Sequence, residues 1–350
     1  MAEIKPAPKV AVIMPAYNAA AYIADSVRSV LSQSCRDIEL IVIDDGSQDD
    51  TADILAGLAA QDERMRSITV PNGGPAMARN RGIEAVRPGT EYVTFIDSDD
   101  ALSTDAVEYA LKGAENGAEL VIFGFTIVGA DGSKRDYFEP QQELRPGDLG
   151  EAFPRLYKAN LLNQVWGKLY KTELLTGEDS VRFKDYRWGE DRLFVFDCLE
   201  RAGLVRVLPD CQYSYVMHSG ESLITKYYDK KFQVCLEADE QAERLAGRFG
   251  AEDQSVLRYM FAKSIFSCIT TLFSPSCPLN YGEKLAEVRR ILNNDRVQRR
   301  CRDTRLGLSV EVLCAVLRTG SAPLTLAAFR MVALAGQAAP RLFTAIKHKK

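Results

Sequence analysis

Short apolar runs alternate with amphipathic stretches through the first third of the chain. Val10 to Met14 is an unbroken apolar run that stops at Pro15-Ala-Tyr-Asn18. Tyr22, Ile23, Val27, Val30 and Leu31 then recur at helical spacing, predicting a helix that ends near Ser34. The unit repeats. A strand over Ile38 to Ile43 stops at Asp44-Asp45-Gly46-Ser47, where Ser47 and Asp50 resemble a capping box for a helix through Ala60. A third strand, Met65 to Val70, leads through the turn Asn72-Gly73-Gly74 to Pro75, well suited to a first helical position, and a helix over Ala76 to Val86. The fourth strand, Tyr92 to Ile96, runs into Asp97-Ser98-Asp99-Asp100. This alternation predicts an α/β fold: a Rossmann-like, mostly parallel sheet with helices on both faces.

Beyond residue 100 the pattern loosens. Ser103 is expected to open a helix through about Asn116, and Glu119 to Ile127 returns as a strand, with Asp131-Gly132 turning a hairpin. Gln141 to Asp148, punctuated by Pro and Gly, is the linker candidate of this half. An amphipathic helix is expected from Gly189-Glu190-Asp191 to about Arg201. Tyr213 to Ser222 reads as a strand start followed by a Gly-containing loop that carries His218. From Asp229 apolar residues recur at helical spacing in long segments, interrupted at Pro275 to Pro278. The implied division is an α/β domain over 1–225 and a mostly helical region over 226–350.

Position gives the polar loops their meaning. Pro15 to Asn18, Asp44-Asp45, Gly73-Gly74 and Asp97 to Asp100 each follow the carboxyl end of an expected strand, the edge at which open α/β sheets bind ligands. A nucleotide fits such a crevice: Tyr17 for stacking, an acid for base N–H groups, Arg79 for phosphate or base. Carboxylates as crowded as Asp97, Asp99 and Asp100 repel one another, so they favour a divalent cation or hydroxyl partners, and hard oxygen donors suit Mg²⁺ or Mn²⁺. Singly, each residue has a plain structural reading as a turn, a cap or a solvated side chain. Their convergence on one edge is what carries weight.

Four segments resemble the successive signatures of family 2 glycosyltransferases: Val12-Ile-Met-Pro-Ala-Tyr-Asn18, Ile43-Asp-Asp-Gly-Ser-Gln-Asp-Asp-Thr51, Asn72-Gly-Gly-Pro-Ala-Met-Ala-Arg-Asn80 and Phe95-Ile-Asp-Ser-Asp-Asp100. The resemblance implies the GT-A fold, a nucleotide-sugar donor (most often a UDP-sugar), a divalent metal and transfer with inversion. Carried over by position, Pro15, Ala16 and Tyr17 would contact the nucleoside, with Asp44 or Asp45 and Arg79 near the uracil. Gly74 and Ser98 join the nucleotide-binding loops, Asp97 would face the ribose, and Asp99 would hold the metal. Val165-Trp-Gly-Lys-Leu-Tyr170 resembles the Trp-Asn-Lys-Leu-Tyr-Arg element of bacterial polysaccharide members, with Gly167 in place of Asn. There Trp166 would stand on the acceptor side and Lys168 could meet donor phosphate. Inverting transfer needs one base for the acceptor hydroxyl, and the family's Glu-Asp motif makes Asp191 that base, with Glu190 as support. His218 would approach the metal or the diphosphate.

Composition narrows the partners. A net charge of -4 over 350 residues argues against a general nucleic-acid binder. Eight cysteines without C-x-x-C pairs predict reduced thiols. The amino terminus lacks a signal peptide's apolar core, and no window is read as a spanning helix, so a cytoplasmic enzyme is expected. From Val312 to Lys350 there is no Asp or Glu, while Arg318, Arg330, Arg341, Lys347, Lys349 and Lys350 are present. Such a segment suits an anionic membrane surface; packing on the catalytic domain or a homo-oligomer face competes with that reading. The acceptor expected is a glycan or a lipid-linked glycan in surface polysaccharide synthesis. A nucleotidyltransferase would want a phosphate-cradling Gly-rich loop where this chain has Pro-Ala-Tyr-Asn. A sugar-nucleotide-binding module without catalysis would not need Asp191.

Overall fold

The computed structural model describes residues 7–218, 226–302 and 308–338. Within them ten strands join in one sheet. β1 (Val10–Ala16), β2 (Ile38–Asp44), β3 (Met65–Thr69) and β4 (Tyr92–Phe95) are parallel and ordered β3-β2-β1-β4. All of β2 and nearly all of β1 is buried, which is why both read as unbroken apolar runs rather than alternating ones. β3 lies at the edge and alternates. Helices α1 (Ile23–Leu31), α2 (Thr51–Ala59) and α3 (Pro75–Glu84) make the crossovers. α3 lies so close to β1 that a Cβ at Gly82 would sit 2.3 Å from Ile13 Cγ2, so glycine sets that approach.

The second half of the sheet is mixed. It adds β5 (Ala101–Leu102), β6 (Leu120–Val128), β7 (Lys134–Tyr137), β8 (Gln142–Leu144), β9 (Lys168–Lys171) and β10 (Val205–Val216), with helices α4 (Ala106–Gly113), α5 (Leu149–Lys158) and α6 (Glu190–Arg201) between them. β9 runs antiparallel between β4 and β6, and β10 runs parallel to β6 while pairing antiparallel with β5 and β8. β9 thereby brings the Trp166-to-Tyr170 stretch to the middle of the sheet beside β4.

Three expectations are corrected here. Ser47 does not cap α2, because its backbone N–H and hydroxyl are engaged by the Asp44 carboxylate and the Asn18 amide; Asp50 stands at the cap position without a side-chain hydrogen bond. Ser103 does not open a helix: it follows β5, its N–H donating to the Gln212 carbonyl, and α4 starts at Ala106. The linker candidate is part of the fold, since Gln142 to Leu144 pairs with β10 and Pro146 to Asp148 forms a 3-10 turn.

Two compact units divide the chain, Met1–Ser219 with Arg244–Glu252 and Gly220–Glu243 with Asp253–Lys350. Helices make up the described part from residue 231 on: α7 (Lys231–Phe249), α8 (Ser255–Thr270), α9 (Tyr281–Leu292), α10 (Asp295–Arg302), α11 (Leu308–Arg318) and α12 (Ala322–Ala338). In the second unit, Asp239 is buried between Arg296 and Arg300, bonded to each at 2.7 and 3.1 Å. The span Ser255–Phe273 is, against expectation, long and apolar enough to cross a membrane, with 56% of it buried. Its Leu257, Phe261, Ile265 and Ile269 are core residues, the ordinary fate of an apolar helix in a packed bundle. α12 contributes Phe329, buried against Phe266, and exposes Leu324, Met331 and Leu334. Of the expected basic segment, Arg341, Lys347, Lys349 and Lys350 lie outside the described residues.

Candidate active site

The crevice forms where β1, β2 and β4 end. Tyr17, just past β1, is 47% exposed, an aromatic face available for stacking. Asn18 takes a positive φ of 49° and receives Gln48 N–H on its side-chain oxygen, tying the first loop to the second. Asp44 and Asp45 are both buried. Asp44 accepts the Ser47 N–H at 3.1 Å and the Thr69 hydroxyl at 3.3 Å. Asp45 accepts Gly73 N–H and Gly74 N–H on its two oxygens, each at 2.8 Å. Both acids expected to read a base are thus engaged in loop structure, and Asp45 fixes the third loop to the second. Gly74 takes φ 87° ahead of Pro75, a conformation that strains any residue with a Cβ.

Arg79, expected near the uracil, is committed to carboxylates. Buried on α3, it reaches Asp97 Oδ1 with Nη2 at 2.8 Å, and Asp191 Oδ1 and Glu190 Oε1 with Nη1 at 2.7 and 3.1 Å. Its Nε is buried without a hydrogen-bond partner. Burial opposes the guanidinium charge, but Asp191, Asp97 and Glu190 outweigh it and hold the group firmly protonated. This one side chain connects the acidic turn after β4 to the acids opening α6, positions separated by about a hundred residues.

Burial is also the largest influence on those α6 acids. It pushes Asp191 above the usual carboxylate range, while Arg79 pulls it back down; Asp97 adds to the rise, and the Val165 N–H and Lys168 oppose it. Glu190 is pushed up by burial and then by Asp191, again against Arg79. A helix N-terminus alone would favour ionised acids; here burial overrides it. The outcome suits a base working nearer neutrality than a free carboxylate.

The acidic turn after β4 separates into three roles. Asp97 faces Arg79. Asp100 is buried, accepting the Tyr213 hydroxyl at 2.6 Å and Val216 N–H at 2.8 Å, so it braces the turn against β10. Burial, then Asp97 and Asp99, raise its pKa well above the ordinary value. Asp99 is raised by burial and by Asp97. His218 Nε2 lies 3.3 Å from the Asp99 backbone oxygen, and its ring stacks on Tyr22 at 3.9 Å.

The fit of a divalent cation can be judged on donor chemistry. Among the described residues no three His, Cys, Asp or Glu gather as a metal-holding group. Asp99 offers a hard carboxylate in a locally acidic setting that lacks Arg79's compensation. One or two carboxylates completed by substrate phosphates and water is the coordination Mg²⁺ ordinarily adopts. The residues therefore fit a cation that arrives with a diphosphate, and do not form a closed protein cage.

The Trp166-to-Tyr170 stretch is deeper than its sequence suggested. Trp166 is buried, stacked on Tyr213 at 4.2 Å and on Tyr215 at 5.8 Å. Lys168, expected to meet phosphate, is buried with Nζ donating to the Gln164 carbonyl at 2.6 Å and the Trp166 carbonyl at 3.2 Å. Its pKa is lowered to about 7 by burial. Gly167 adopts φ 68°, which explains why glycine can replace an asparagine there: both tolerate the left-handed region. The reading of the sequence missed Tyr213, Tyr170 and the Val165 amide. Alternation in Tyr213-Ser-Tyr215 signalled a strand but not its partners.

A mixed α/β sheet with four polar loops at one edge and a paired Glu-Asp across the crevice is the GT-A fold. The chain belongs to glycosyl transferase family 2, whose family model matches residues 11–169. It is 30% identical over 307 residues to the uncharacterized glycosyltransferase EpsJ of Bacillus subtilis, covering 85% of this chain and 87% of that one. It is 29% identical over 255 residues to the glycosyltransferase GlyA of Streptococcus pneumoniae, covering 68% of this chain and 34% of that longer protein. S. aureus TarS 1-349, solved in complex with UDP-GlcNAc, superposes with a TM-score of 0.65 at 20% identity, covering 92% of each chain. A mannosyltransferase from Pyrobaculum calidifontis, solved with GDP-Man and Mn²⁺, gives a TM-score of 0.52 at 16% identity over 96% of this chain and 89% of that one. The helical region after residue 231 falls within the length these folds share with the chain.

Proposed function

We propose that the protein transfers a sugar from a nucleotide-sugar donor, with a UDP-sugar as the leading candidate, to a hydroxyl of a glycan or lipid-linked acceptor in the synthesis of a cell-surface polysaccharide. The transfer inverts the anomeric centre. Asp191 takes the proton from the attacking hydroxyl, Arg79 holds that carboxylate in place while sharing its guanidinium with Glu190, and Tyr17 stacks on the base. A divalent cation, Mn²⁺ or Mg²⁺ on Asp99, would offset charge on the departing diphosphate. No covalent intermediate on the enzyme is needed, because one displacement with one base completes the reaction.

The observation that supports this reading most is the Arg79 bridge: it holds the acidic turn on the donor side and the Asp191 carboxylate within one hydrogen-bonded unit. Donors bound by relatives of this fold, UDP-GlcNAc in one and GDP-Man with Mn²⁺ in another, are consistent with it. The test is UDP release from a panel of UDP-sugars with Mn²⁺. Asp191→Asn should lower kcat by about 10²- to 10⁴-fold with UDP binding retained, and Asp99→Ala should abolish the Mn²⁺ dependence. Wild-type-like turnover in either variant would remove the role assigned to it.

A further inference from the structure

Lys168 and Tyr170 stand two apart on β9 and therefore point to the same face of the strand. That face lies under the turn Gln164 to Gly167. Lys168 Nζ takes the carbonyls of Gln164 and Trp166, and the Tyr170 hydroxyl takes the carbonyl of Val165 at 2.8 Å. Phe123 N–H takes the carbonyl of Gly167 at 3.0 Å. Three successive carbonyls are thus held by side chains of β9 and the fourth by the backbone of β6, and the Val165 N–H donates to Asp191 Oδ2 at 3.4 Å. Arg79 holds the other oxygen, Oδ1. An isolated buried ammonium is an expensive group to place in a core, and a methionine would fill the same volume without it. What the ammonium adds is a fixed direction for this turn.

We propose that Lys168 and Tyr170 are positioning residues for Asp191: they clamp the Gln164-to-Gly167 turn so that the Val165 N–H holds the carboxylate in the orientation for proton abstraction. Lys168 does not touch the donor. The inference rests on the reading of Asp191 as base. The charged and titratable groups facing Asp191 are Arg79, Glu190, Asp97, Lys168 and Tyr170. Loss of Lys168 removes a positive charge and loosens the Val165 N–H, and both changes favour the protonated acid.

The experiment measures UDP release from UDP-GlcNAc, or from whichever UDP-sugar in the panel turns over fastest, with Mn²⁺ present. It is run on wild type, Lys168→Met, Tyr170→Phe, Asp191→Asn and the Lys168→Met/Asp191→Asn double variant. UDP affinity and thermal unfolding are measured on each. The expected result for Lys168→Met is a fall in kcat of about tenfold to a hundredfold with UDP affinity and donor KM unchanged, and an acid limb of the pH–rate profile displaced to higher pH. Tyr170→Phe, which keeps the charge, should lose kcat in the same way by a smaller factor. Adding Lys168→Met to Asp191→Asn should cost less than about twofold more. A weakened UDP affinity or raised donor KM in Lys168→Met would overturn the proposal in favour of a phosphate contact. Wild-type kcat and pH profile in both single variants, with Asp191→Asn inactive, would overturn the clamp alone. An active Asp191→Asn would overturn the base assignment on which it rests.

Discussion

Two acidic clusters face this crevice and are managed in opposite ways. Glu190 and Asp191 open α6 and share a guanidinium supplied by the protein itself. Asp99 and Asp100 end the turn after β4, where burial raises both, and Asp100 is satisfied by the neutral Tyr213 hydroxyl and the Val216 backbone N–H. The first cluster is complete within the chain. In the second, burial and Asp97 raise Asp99, with His218 opposing them. Under the proposed reading, the cluster that carries its own guanidinium would be the proton-transfer side and the other would take a cation that comes with the substrate.

Removing the shared guanidinium breaks this contrast most severely. Arg79→Met leaves Asp97, Glu190 and Asp191 without their common partner in a buried setting, and loss of about 3–5 kcal/mol is expected. Urea denaturation should show a lower midpoint, and UDP release should fall with it. An unchanged midpoint would mean the three carboxylates reorganise around water. Asp100→Ala probes the second cluster: it orphans the Tyr213 hydroxyl and Val216 N–H, so about 2–4 kcal/mol should be lost, with the Mn²⁺ requirement intact. A variant that keeps stability but loses Mn²⁺ binding would instead make Asp100 a cation ligand.

The smallest effect sharpens the comparison by pH. Glu190 is raised above its ordinary value by burial. Its contribution is therefore fully present below the unfolded pKa, roughly 4.3, and is lost as pH rises through the raised folded value. Glu190→Gln removes that loss, so the fall in stability above about pH 4.3 should be shallower than in wild type, by less than about 2 kcal/mol. Parallel stability–pH curves for the two proteins would show that Arg79 fully compensates Glu190.

Much of the amino-terminal half of the sheet was legible in the sequence because β1 and β2 are buried on both faces and the polar loops follow the strands directly. β1, β2 and β4 start where their apolar runs start, and the four polar loops do converge. What escaped depends on distance in sequence. No pattern in Arg79 announces Glu190 and Asp191, which lie 111 and 112 residues away. Ser47 looked like a cap because it precedes a helix; tertiary contacts with Asn18 and Asp44 claimed it instead. Gln142 to Leu144 looked like a linker because a three-residue strand on a sheet edge is too short to show a period. Lys168 was expected to meet donor phosphate, and its burial follows from carbonyls in a turn that sequence alone does not build.

The His218 stack also makes the crevice observable. The chain contains two histidines, so its imidazole proton spectrum should hold few lines, and a ring lying 3.9 Å from Tyr22 is shifted by the phenol's ring current. Its Nε2 is 3.3 Å from the Asp99 backbone. A paramagnetic ion arriving beside Asp99 would broaden that line ahead of the other. The two-histidine composition thereby gives a direct spectroscopic test of whether a cation reaches Asp99, without any label.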